Sequence, residues 1–255
     1  MTISNLMSLC TLPSSLLGGM ALSKTTLRLN RFAVTHLGIP IDMFEGKSDV
    51  QYAQANLKFA DIAARLHGVS LERYLGIALC TYMNGAIREE IVYRFLLERI
   101  VLPKLFPKLE HFSMTRACIS TLIFSAMHLR NPSPLQAQAG QCINVAFLGM
   151  ITSLAQKHLG LASAIMIHIG FNINGWKYLF NQDCYNILSK LSFVKPGDIL
   201  KNQSIIFLDG FVADAITPYT LACKAYQAYR GNNPPQVTQP AQKSTEPFSV
   251  SADFD

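Results

Sequence analysis

Residues 158–176, HLGLASAIMIHIGFNINGW, contain no Asp, Glu, Lys or Arg. The stretch is too long for an ordinary strand, so it reads as a helix. His168 and Asn172 stand four apart inside it, a spacing that puts both on one helix face. Moving outward, further apolar segments occupy 140–157, 116–130, 71–102 and 203–226, most of them poor in turn dipeptides. This succession predicts an all-α architecture. Residues 131–156 are equally free of charge but begin with a polar, proline-bearing piece. No segment gives the uninterrupted apolar run of about 18 residues that marks a simple membrane span. Polar residues inside such helices have two explanations: one face of a soluble bundle meets water, or the helices line a polar cavity within a membrane bundle.

Composition narrows the classes. Of the 255 residues 50% are hydrophobic and only 15% charged, against roughly 25% charged in an average globular chain. Intrinsic disorder, a coiled coil and a collagen-like chain are excluded. The net charge of +6 is spread along the chain without interleaved aromatics, so an anionic membrane face is the better partner and nucleic acid is not expected. The six cysteines lack CxxC spacing, and Cys80, Cys118, Cys142 and Cys223 sit in apolar stretches, which predicts reduced, packed thiols. Residues 1–23 lack the basic start of a secretory signal. We expect three regions: an N-terminal helical region at 1–70, serving as a first membrane or interfacial helix or as a soluble one; a helical core at 71–230; and a proline-rich disordered tail at 231–255. Two polar connections, 103–116 and 190–202, punctuate the core.

Chemistry concentrates at three places. In 83–97 (MNGAIREEIVYRFLL) two carboxylates and two arginines interrupt an apolar helix. Glu90 and Arg94, four apart, can pair, while Glu89 projects elsewhere and is less neutralised. One carboxylate held by a cation and one left to accept a proton suit a general base; the same residues also suit a solvated helix end. In 124–128 (FSAMH) His128 follows an apolar run, a place for a satisfied core histidine or for a ligand. The His168/Asn172 pair supplies two donors that can meet one oxygen. If these helices pack side by side, water held between Glu89 and His128 can attack a carbonyl whose oxyanion His168 and Asn172 receive. His36, His67, His111 and His158 lie in no ligand spacing, and Asp209 and Asp214, five apart, read as helix-interface or loop residues.

The ordered set Glu89-Glu90-x-x-x-Arg94, Phe124-x-x-x-His128 and His168-x-x-x-Asn172 resembles the three motifs of the CPBP family, the CAAX proteases and bacteriocin-processing enzymes also called Abi. The resemblance runs over roughly 81–176 and includes Tyr93, the lead-in 120–124, Asn131 and Phe147-Leu148-Gly149. It implies a multi-helix membrane bundle with a buried polar site, integral to the cytoplasmic membrane of a bacterium. It also implies an intramembrane endopeptidase acting on a peptide or protein substrate, prenylated-type substrates included, among membrane lipids. By the same resemblance Glu89 activates water with His128 as partner, His168 and Asn172 bind the oxyanion, and Glu90 and Arg94 support them. Phe95 departs from the family's glycine after the arginine and is expected to narrow the substrate groove. HExxH is absent, so a metal-independent mechanism without cofactor is favoured; the alternative is zinc held by Glu89, His128 and His168, with Glu90 beside them. The rival from another class is a non-enzymatic membrane protein of the same fold, an immunity or scaffold protein. A soluble helical protein with an amphipathic surface is the third reading.

Overall fold

Serines open two of the helices. The Ser48 hydroxyl accepts from the Gln51 amide while the Gln51 side chain accepts from the Ser48 amide, a reciprocal capping box. Ser70 accepts in the same way from the Arg73 amide. In the computed structural model, which describes residues 3–39, 47–109, 113–131, 135–180 and 211, every regular element is helical. In chain order these are α1 (Ile3–Leu37), α2 (Asp49–Leu66), α3 (Leu71–Glu89), a π-helical segment (Glu90–Val101), α4 (Leu102–Leu105), a 3₁₀ turn (Pro107–Leu109), α5 (Ser113–Met127), a second 3₁₀ turn (His128–Arg130), α6 (Leu135–Leu159) and α7 (Leu161–Phe180). The all-α expectation holds for the described residues. The segment 203–226 with Asp209 and Asp214, the connection 190–202 and the tail 231–255 lie outside them, apart from Phe211.

From α3 to α4 the backbone stays helical, but at Glu90 its hydrogen bonding widens to the π pattern. That change matters, because π segments are rare and often coincide with functional sites. Gly160, at φ +92°, turns the chain between α6 and α7 in a conformation that side chains other than glycine adopt at a cost.

Helix α7 is the hub, lying against α1, α2, α3, α6 and the π segment. Its contact with α1 is close enough that a Cβ on Gly19 would overlap the Ile167 carbonyl and one on Gly170 the Leu16 carbonyl. Ser15, Gly19 and Ser23 repeat at four-residue spacing along that seam, with Ser15 and Ser23 buried. Small residues at this spacing let helix backbones approach. The main apolar core joins Val92, Tyr93, Leu97 and Leu102 to Phe124, Val145, Leu148 and Ile167. A smaller one, Ala60, Leu75 and Leu79, fixes α2 to α3.

The polar residues of α6 face inward and many of its large apolar ones outward. Asn144, Thr152, Ser153 and Gln156 are buried, whereas Ile143, Phe147, Ile151 and Leu154 are exposed. Even so, no helix among the described residues is long and apolar enough to cross a membrane. Of the cysteines described, Cys80 and Cys142 are half-buried, but Cys118 is exposed and so departs from the packed position expected of it. The buried face of its helix carries Ser120, Thr121 and Ser125, so hydropathy does not reveal from sequence which face turns outward.

Candidate functional site

The site begins with Arg94. A guanidinium with no exposed surface needs its charge and its five N–H groups answered. Its Nε donates to Thr152 Oγ1 at 3.0 Å and its Nη1 to Ser120 Oγ at 2.8 Å, while the group lies 5.1 Å over the Phe124 ring. The Ser120 hydroxyl in turn donates to the Tyr93 carbonyl at 2.7 Å. Countercharge comes from Glu90, whose Oε2 stands 3.5 Å from Arg94 Nε. Arg94 therefore ties the π segment to α5 and α6 in one buried knot. Gly149 makes the room: a Cβ there would come within 2.8 Å of Arg94 Nη2 and 2.9 Å of Thr121 Cγ2.

Glu90, also buried, uses its other oxygen on His168. Oε1 lies 2.8 Å from His168 Nδ1, and because a carboxylate only accepts, Nδ1 carries the proton. This fixes the ring and aims the opposite nitrogen, Nε2, toward Glu89, whose Oε2 is 3.5 Å away. The buried imidazole thus lies between two adjacent carboxylates, one clamped by Arg94 and the other, Glu89, part-exposed.

Glu89 opens onto a cleft of about 440 Å³. Tyr74, Ile77, Ala78, Thr81, Tyr82, Gly85, Arg88 and Glu89 line it at spacings of three and four, so one face of α3 forms its wall and Asn172 of α7 closes it. The Asn172 amide donates to the Tyr82 carbonyl at 3.1 Å. One of its two N–H groups is used there, which orients the other. Sequence reading missed Tyr82 and the cleft wall; the three-and-four spacing back from Glu89 was the available signal.

His128 lies against Phe124. The phenyl ring meets His128 edge-on at 5.2 Å and His168 edge-on at 5.8 Å. His128 Nδ1 is 3.0 Å from the Phe124 carbonyl, an acceptor, so Nδ1 carries a proton and donates it there. Glu89, Glu90, His168 and Asn172 are therefore brought together, with His128 linked to them through Phe124. Phe95 does not narrow the groove: it is exposed and is not part of the cleft lining. Among the described residues no three His, Cys, Asp or Glu side chains gather as a metal site, so the alternative zinc set of Glu89, His128 and His168 is not assembled. We derive no step through a metal.

An all-helical frame that buries an arginine-clamped carboxylate beside a second, cleft-facing one defines a class of protein with a buried polar site inside a helix bundle. Residues 72–174 match the family described as type II CAAX prenyl endopeptidase Rce1-like, in agreement with the CAAX-protease (CPBP) resemblance of the motifs. The match spans the whole constellation from α3 to α7. That family is one of proteases, hydrolases of peptide or protein substrates. No curated protein and no solved structure matches the chain.

Proposed function

We propose that this protein is an intramembrane endopeptidase that hydrolyses a peptide bond of a membrane-associated substrate through water activated by Glu89. The observation that carries the reading is the His168 bridge, in which one imidazole joins the clamped Glu90 to the cleft-facing Glu89. In this scheme the substrate lies along the α3 face and Glu89 takes a proton from water. The hydroxide attacks the carbonyl carbon, and the Glu89 proton passes to the leaving nitrogen as the C–N bond breaks. His128, whose Nδ1 is engaged by the Phe124 carbonyl, helps to hold that water through Nε2.

The oxyanion requires donors aimed where charge develops. Asn172 gives its second Nδ2–H, and His168, held through Nδ1 by Glu90, turns Nε2 toward the same place. Arg94 pairs with Glu90 and holds it in place. Each residue acts at a named atom.

Membrane residence is supported by the family and by the inverted character of α6, with polar groups inside and Ile143, Phe147, Ile151 and Leu154 outside. A face of that composition suits lipid chains better than water. The helix then scores as only moderately apolar because its inward half is polar.

The reading is tested by comparing the C-termini and processed fragments of membrane-associated proteins in cells carrying the wild-type chain or Glu89→Gln. Processing lost in the variant supports it; identical fragments contradict it.

A further inference from the structure

A second cavity, of about 170 Å³, lies where the end of the π segment, the first turns of α5 and the last turns of α6 meet. It shares no lining residue with the Glu89 cleft. Its polar lining is Glu98, Arg99, Arg116, Ser153, Gln156 and Lys157. Three cations face one carboxylate. The volume is several times the roughly 30 Å³ that a water occupies in the liquid, enough for a tetrahedral oxyanion.

The hydrogen-bonding capacity left open here is donor capacity. Gln156 is 4% exposed, and its Nε2 has no hydrogen-bond partner; Arg116 Nε is buried and likewise unpartnered. The carboxylate is already engaged, because Ser153 Oγ donates to Glu98 Oε2 at 2.8 Å. Buried donors left without acceptors are unfavourable, so they mark a place where an acceptor belongs. Arg116 also stands in the first turn of α5, which contains no acid, where a cation opposes the helix dipole. A cation in that position makes sense where the local potential serves an anion.

We infer that this pocket binds a phosphate group, with Arg99, Arg116 and Lys157 supplying charge and Gln156 Nε2 and Arg116 Nε supplying directed hydrogen bonds. The same chemistry is offered by inorganic phosphate and by the headgroup of an anionic phospholipid. The site is independent of the peptidase reading.

The test uses the detergent-purified full chain. Titration calorimetry with inorganic phosphate is run beside sedimentation with phosphatidylcholine vesicles that contain or lack phosphatidic acid. Saturable binding of phosphate identifies the free ion as ligand, and binding only to vesicles with phosphatidic acid identifies the lipid headgroup. In either case Arg116→Gln should weaken binding at least tenfold and Glu89→Gln should leave it unchanged. Arg99→Gln, at an exposed position that the fold tolerates, should weaken it severalfold and covers the event that the Arg116 variant does not fold. Absence of binding to both probes overturns the proposal, as does wild-type affinity in folded Arg116→Gln or in Arg99→Gln.

Discussion

At Arg94 a full charge is taken out of water and answered by Glu90, Thr152, Ser120 and the Phe124 ring. Burial of this kind leaves a large penalty when one partner is removed, because the other charge remains. Arg94→Met should therefore destabilise the protein by about 3–5 kcal/mol, read as a lower Tm in detergent. Arg94→Lys should not rescue it, since an ammonium cannot reproduce the fork that reaches both hydroxyls. Asn172→Ala should behave differently: its amide is at the cleft, so folding persists while kcat falls by roughly 10²–10³ through loss of one oxyanion donor. A variant of Asn172 with wild-type kcat would remove that residue from the mechanism.

The elements raise the question of room. Gly149 and Gly85 are both helical glycines, yet a side chain would meet opposite surroundings at each. At 149 a methyl group presses on Arg94 and Thr121, so Gly149→Ala should cost about 1–3 kcal/mol by overpacking and disturb the Glu90–Arg94 pair. At 85 a Cβ would come no closer than 3.9 Å to Glu89 Oε1, an ordinary contact, and the position lines the cleft. Gly85→Leu should thus keep or raise Tm, because glycine is a poor helix former by about 1 kcal/mol, while lowering kcat/KM by occupying the substrate's path. Measuring Tm and kcat/KM on both variants separates a structural glycine from a cleft glycine.

On the scale of the molecule, the inverted α6 predicts where the chain resides. Replacing Ile143, Phe147 and Ile151 together by serine should shift the protein from the membrane fraction toward the aqueous one; unchanged partition would remove α6 from the lipid contact. The helical frame was legible because apolar segments too long for strands leave few other folds, and because His168 and Asn172 share a face at a spacing that sequence fixes. Much of the rest was not legible. The π pattern that starts at Glu90 is set by which carbonyl each amide reaches, a choice that composition does not encode. The α1–α7 seam depends on Gly19 and Gly170 meeting backbone far away in sequence, although Ser15, Gly19 and Ser23 carried its local sign. The phosphate pocket was hidden because Glu98, Arg116 and Gln156 come from three separate helices and make no motif.

The most direct measurement is cleavage by purified Glu89→Gln in detergent or vesicles, followed by mass spectrometry of a membrane-protein fragment that the wild-type chain processes. Glutamine keeps the shape of Glu89 but cannot take a proton from water. The account predicts that cleavage disappears while helical content and Tm stay at the wild-type level. Cleavage at the wild-type rate by the folded variant would contradict it.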